Sequence, residues 1–350
     1  MSATLLPKNP WKVQETAFPW RDTASQKLKF LLNYAVLAPS IHNTQPWSFR
    51  ILDDEVECYA DVTRAMRILD PRQRQLVMSC GSALFNLRLA IAHYRHFPIV
   101  HTFPEQDKPH LIARVRLIFP GEPDLEDHRL FMAIKKRRTY RGAFQSRSIS
   151  DEALSALRRA AEREHARLDV IADTEQKTRL AGLVAEGVAV QRDDAALREE
   201  LAQWTRGDGE TRPDGVPAFA RARRPAVVGE GTSDWGGEAI PFDVAEVTEA
   251  PALVVLSAVG ENRVGWLNAG QALSRVLLTA TVHSLAASFL NQAVEVPPLR
   301  ERLAQLVGQP YPQAVLRLGY PIGHALEPVP RQSVDEKIVT HDPNGSRTSM

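Results

Sequence analysis

Two short stretches of this chain carry residues able to grip a charged, planar molecule. Lys135-Lys136-Arg137-Arg138-Thr139-Tyr140-Arg141 places five cations and a hydroxyl in seven residues. Such a run serves either as a solvated helix end, where cations complement the dipole, or as a phosphate grip. In the second case guanidinium forks and a threonine hydroxyl donate to phosphate oxygens. The other stretch is Ala38-Pro39-Ser40-Ile41-His42-Asn43-Thr44-Gln45-Pro46-Trp47. Pro39 disfavours helix at Ala38, so a helix-terminating loop is one reading. The other is a set of short polar side chains, held beside prolines, that offers donors and acceptors to a heterocycle.

Further constellations fall away. Gly229-Glu230-Gly231-Thr232-Ser233-Asp234 has Asp at the third glycine position of a dinucleotide loop and no helix after it. His93, His96 and His101 lack metal-ligand spacing, so no metal site is expected. No Gly-x-Ser-x-Gly occurs.

The elements that must position the two stretches look duplicated. Cys80-Gly81-Ser82-Ala83-Leu84 opens a helix running to about Arg95, and Ala269-Gly270-Gln271-Ala272-Leu273 opens another. A small residue and Gly at such places imply close packing on a neighbour. Downstream of each lies a strand, Ala113–Pro120 and Ala314–Pro321, which share four identities and a matched aromatic and end at proline. Two matches in the same order indicate an internal repeat. Further helices are expected over 25–37, 124–136, 150–163 and 174–204, with strands over 48–52, 168–172 and 252–257. Ser150 is a good N-cap. Residues 206–242, rich in Gly, Pro and charge, read as a long loop of lid type, and the chain after Thr340 as disordered.

Together the two stretches resemble the flavin nitroreductase family. Its members carry an Arg-Arg-Ser-x-Arg-like motif, then Ala-Pro-Ser-x-x-Asn-x-Gln-Pro-Trp. Here Arg137, Arg138, Thr139 and Arg141 match the first motif and Ala38–Trp47 the second, in reversed order. The first half lacks the arginine pair near Pro19–Ala24, and the second reads Ala160–Ala166 where Ala-Pro-Ser should stand. Each half has lost what the other kept. The chain therefore is similar to the duplicated single-chain branch, the mycobacterial Acg-like proteins, over about residues 25–335. The resemblance implies an α+β fold, duplicated as an intramolecular pseudo-dimer, with central antiparallel-rich sheets flanked by helices. The implied divisions are an N-terminal extension (1–24), a first half (25–122), a second half (123–335) with the insertion 206–242, and a tail (336–350).

The resemblance also implies FMN. Arg137, Arg138, Thr139 and Arg331 of Pro328-Val329-Pro330-Arg331 would hold its phosphate. Pro39, Ser40 and Asn43 would reach across from the other half, and Arg141 would stabilise the reduced ring. Ser288, Phe289 and Leu290 fall in the segment whose backbone nears the flavin in the family, although Ser284, Phe289 and Gln292 replace its glycines and proline. Arg317 has a repeat partner in Arg116, in the half without the phosphate motif, so it is expected to be structural. The implied activity is electron transfer from NAD(P)H through FMN to a nitro-aromatic or quinone-like acceptor; the rival is a flavin-sequestering protein.

Composition sets the frame. The chain has 350 residues, 44% hydrophobic and 24% charged, with net charge +1. That is ordinary globular usage, with no overall pull toward nucleic acid or anionic membrane. Two cysteines are too few for a disulfide framework. Met1–Pro10 has no apolar core of signal-peptide type, so a soluble, cytoplasmic protein is expected, as a monomer or a homodimer.

Overall fold

The structure, a computed structural model, describes residues 8–122, 124–220, 232–235, 238–241, 244–323 and 327–343. The first half comprises α1 (Ala24–Ala35), β1 (Trp47–Leu52), β2 (Glu55–Ala60), α2 (Arg74–His93), β3 (Phe97–Thr102) and β4 (Leu111–Ile118). The second begins with α3 (Leu125–Ile134), α4 (Asp151–Arg163), β5 (Ala166–Ile171), α5 (Thr174–Asp193) and α6 (Ala195–Gln203). It continues through β6 (Thr232–Trp235), β7 (Glu238–Pro241), α7 (Val244–Thr248), β8 (Ala252–Ala258) and α8 (Arg263–Val282). The last elements are β9 (Ala286–Phe289), α9 (Gln292–Glu295), α10 (Pro297–Val307), β10 (Pro312–Gly319) and α11 (Val334–Lys337).

Each half builds one four-stranded sheet, β1-β2-β4-β3 and β5-β8-β10-β9, with every pairing antiparallel. Member for member the strand orders coincide, so the fold is α+β and duplicated. The joints repeat as well. Thr23 caps α1 and Ser150 caps α4 through their hydroxyls. After α2 and α8 the chain turns through a left-handed residue, Arg95 and Ser284, each at φ 61. The next amides donate back in the same way, His96 to Ile91 and Leu285 to Ala280.

The two halves meet where α2 crosses α8. A Cβ on Gly81 would stand 2.3 Å from the Leu267 carbonyl oxygen, and one on Gly270 would stand 2.0 Å from that of Met78. Each contact mirrors the other, as a two-fold interface requires. The two glycines therefore lie inside the helices and not at their openings, because the crossing admits no side chain there. Buried almost all round, α2 is also long and apolar enough to pass for a membrane span. Its lipid-like sequence is a consequence of being covered by both halves.

The sheets differ on their outer faces. In the second half, Leu253, Val255 and Val315 pack under α5, α7, α9 and α10. In the first, the same face carries Glu57, buried and accepting from Arg50 Nε (2.7 Å), Tyr59 Oη (2.8 Å) and Arg114 Nη2 (2.8 Å). Burial alone would raise this carboxyl, but Tyr59, Arg114 and Arg50 hold it below its usual range. A satisfied polar face needs no helical cover.

Two expectations are corrected. The single helix over 174–204 is two, α5 and α6, because Asp194 leaves helical geometry and caps α6 by accepting from Leu197 N. The segment 206–242 is not one structureless loop. Thr205 pairs with Val216, and β6 pairs with β7 as a hairpin; residues 221–231 lie outside the described residues. The chain just before Thr340 is anchored as well. Ile338 pairs with Phe49, and Val339 N donates to Phe49 O, so the C-terminal segment crosses to the first half's sheet. The remainder, 344–350, and most of Met1–Pro10 lie outside the described residues.

Candidate active site

A cleft opens where the halves join, and it gathers both sequence motifs. Its floor is one face of α2. Gln75, Met78, Ser79 and Ser82 recur there at i, i+3, i+4 and i+7, a stripe about 10 Å long at 1.5 Å per residue. The loop after α1 forms one wall and the arginine motif after α3 another.

The loop is strained and held from several sides. His42, Asn43 and Gln45 have φ of 41, 55 and 50, a region that side chains other than glycine enter at a cost. Gln45 N donates to Ser40 Oγ (3.0 Å), and Gln45 Nε2 to Pro213 O (2.8 Å). Gln332 N donates to Gln45 Oε1 (2.9 Å) and Lys337 Nζ to Gln45 O (2.7 Å). Burial, and secondarily Arg141, push the His42 imidazole down to about 3, so it is neutral. The base of the insertion docks on the same loop. Asp214 pairs with Arg64 and with Arg206, and Gly215 N donates to Asn43 O (3.2 Å).

Beside this loop, Arg137 and Arg331 are buried, and among the described residues no carboxylate pairs with either. Arg331 Nη1 donates to Asn43 Oδ1 (2.8 Å) and Nη2 to Ala38 O (3.2 Å), while its Nε has no protein partner. Arg137 Nη1 is likewise buried without one. Burial, with the neighbouring Arg137 and Arg138, pushes Arg331 down to about 9; burial with Arg138 pushes Arg137 down to about 10. Trp11 roofs the cluster, its ring 4.5 Å from the Arg138 guanidinium and 5.6 Å from that of Arg331. A concentration of buried positive charge with spare donors in residues that line a cleft fits an anion such as phosphate. Arg141, which burial pushes down to about 10, donates from Nη1 to Ala220 O (2.7 Å) at the base of the insertion.

Of the residues expected at a site, Pro39, Ser40, Asn43, Arg137, Arg138, Thr139, Arg141, Phe289 and Arg331 line this cleft. Ser288 and Leu290 do not. They alternate with Phe289 along the chain, so their side chains turn the other way, and Leu290 joins the second core. Asn43 is also recast. Its Oδ1 accepts from Arg331 and its Nδ2 donates to Gly215 O (2.9 Å) and Pro330 O (3.2 Å), which makes it a positioning residue. Arg317 donates to Gly142 O (3.1 Å) and lies over Phe144, in keeping with a structural part. The polar stripe on α2 was readable as Gln, Ser and Ser interrupting an apolar helix. Trp11, Gln191 and Glu295 carry no local signal, since they reach the cleft only through the packing of separate elements.

Comparison with known proteins gives the chain's relatives. The nitroreductase family model matches residues 134–324. A Mycobacterium tuberculosis (strain H37Rv) protein provisionally named an NAD(P)H nitroreductase is 32% identical over 97% of both chains. A second protein from that strain, acg, provisionally named likewise, is 31% identical over 88% of this chain and 94% of its own. Among solved structures, a nitroreductase with bound FMN from Desulfitobacterium hafniense aligns at 17% identity over 60% of this chain and 97% of its own, with a TM-score of 0.38. With the family model spanning most of the second half and relatives aligning from end to end, the chain belongs to the nitroreductase family.

Proposed function

We propose that the cleft holds one FMN and that the chain uses it to pass electrons from NAD(P)H to a nitro-aromatic or quinone-like acceptor. Family membership makes the chain an oxidoreductase; the cofactor and acceptor rest on the site. The observation that carries the reading is the Arg137–Arg331 pair, buried, matched to no carboxylate among the described residues and with spare donors. Arg137, Arg138, Arg331 and Thr139 would hold the phosphate. Bound flavin supplies two-electron chemistry that side chains lack. Arg141 lies on the same wall, where its charge would favour the anionic, reduced ring. Ser40 and the Asn43 backbone fix the facing loop, so the cleft is preorganised. Val216 and Ala220 from the insertion form part of the wall, and this contact favours a second reading, a flavin store with slow turnover.

Purified protein carrying an FMN absorbance spectrum that bleaches anaerobically with NADPH or NADH, and recovers on adding a quinone, is the expected result. A colourless protein that takes up no FMN would overturn the reading. A yellow protein that neither nicotinamide bleaches would favour the store.

A further inference from the structure

The cleft contains a second polar group, made of different residues from the arginine cluster. Glu295 in α9 accepts from Gln75 Nε2 on α2 (3.2 Å, at Oε1) and from Gln191 Nε2 on α5 (2.8 Å, at Oε2). First half, second half and the helices preceding the insertion thus converge on one carboxyl. Leu69, Val188 and Leu201 add apolar walls to the same cleft. Burial raises the carboxyl above its usual range, against the lowering from Gln191, Gln75 and Arg74 and with some help from Asp70. Several other charges on the surrounding elements are engaged. Arg192 pairs with Asp193 (3.1 Å), Arg300 with Glu261 (2.6 Å) and Arg302 with Glu186 (2.6 Å), while Arg74 donates to Gln313.

Building on the flavin reading above, we propose that Glu295 is the proton donor to the electron acceptor. With Gln75 and Gln191 it forms a subsite for planar carbonyl acceptors. A quinone becoming a hydroquinone takes up two electrons and two protons. Both electrons and one proton come from the reduced flavin. The second proton leaves the Glu295 carboxyl as its O–H bond breaks and a new O–H bond forms on the quinone oxygen. The carboxylate left behind keeps the two amide donors that already face it, and it regains its proton from water.

The test uses the flavin-loaded protein, reduced anaerobically with dithionite and mixed in a stopped-flow instrument with 1,4-naphthoquinone or ferricyanide. Glu295→Gln should slow the neutral quinone about 100-fold, the scale of general acid catalysis. Ferricyanide takes electrons without a proton and should not be slowed. Glu295→Asp, which keeps a carboxyl, should recover most of the rate. Quinone reoxidation of Glu295→Gln at the wild-type rate would overturn the proposal, and so would equal slowing with ferricyanide. Should Glu295→Gln not fold, the wild-type pH profile decides: quinone reoxidation should fall as pH rises while ferricyanide reoxidation does not, and a flat quinone profile overturns the proposal. A chain that takes up no flavin overturns the underlying reading and this one with it, whereas a protein that binds and reduces flavin but shows no Glu295 effect overturns this one alone.

Discussion

Arg137 and Arg331 are held in a place that costs the flavin-free protein stability. A buried cation without a counter-charge is unfavourable, and the lowered values of both guanidiniums express that cost. Arg137→Met should therefore raise the melting temperature of the flavin-free protein while weakening FMN binding. A charged hydrogen bond is worth about 1.5–3 kcal/mol, or roughly ten- to a hundred-fold in affinity. Arg317→Met should leave FMN affinity within about two-fold. Fluorescence titration and calorimetry check both, and equal affinity in Arg137→Met and wild type would remove the phosphate assignment. Lys337 is a second residue under tension. Burial, with Arg64 nearby, pushes its ammonium from the ordinary 10.5 down to about 7. Between those values the unfolded chain holds the extra proton, so stability rises with pH across that window; below about 7 both states are charged and the slope vanishes. Lys337→Met should flatten the rise between pH 7 and 10, read from urea midpoints. An unchanged slope would show that Lys337 is not its source.

Among the elements, the α2–α8 crossing is the least tolerant of change. Gly270→Ala would set a methyl 2.0 Å from a backbone carbonyl that cannot swing aside, and Gly81→Ala meets the mirror-image obstacle at 2.3 Å. Either should cost about 1–3 kcal/mol, the usual penalty of overpacking. Gly182 in α5 has nothing within 4 Å of the position a Cβ would take. Gly182→Ala should stabilise by roughly 0.5–1 kcal/mol through helix propensity alone. Chemical denaturation of the three variants checks the contrast, and a neutral Gly270→Ala would mean that the helices can part without loss.

At the scale of the molecule, duplication has produced one cleft and one filled counterpart. Ser82 lines the cleft, and its mate across the crossing is Gln271. Around Gln271, Arg88 Nη1 donates to Gln271 Oε1 (2.7 Å) and to Glu164 (2.7 Å), and Arg275 pairs with Glu164 (3.0 Å), Glu126 (3.0 Å) and Asp127 (3.1 Å). Cations that are already matched to carboxylates have little use for a phosphate. One FMN per chain is therefore expected when flavin is released by heat and quantified against protein; a ratio near two would contradict the complementary halves.

Much of this was legible in the residues themselves. Motif identity is a local property, so the Arg137–Arg141 and Ala38–Trp47 stretches identified the family and most of the cleft. Periodicity and capping are local too, and they placed α1, α4 and the matched β4 and β10. Elsewhere the chain depends on what lies across from it. Gly81 and Gly270 look like helix openings until the crossing shows why no side chain fits. Asn43 looks like a ligand contact until Arg331 and Gly215 occupy its amide. Trp11, Gln191 and Glu295 are unmarked in the sequence, because a residue enters a cleft by the packing of its element and not by its neighbours in the chain. Composition and motif determined what kind of molecule this chain can grip. Tertiary structure alone decided which of its two equivalent places kept uncompensated charge, since that depends on where each carboxylate comes to rest.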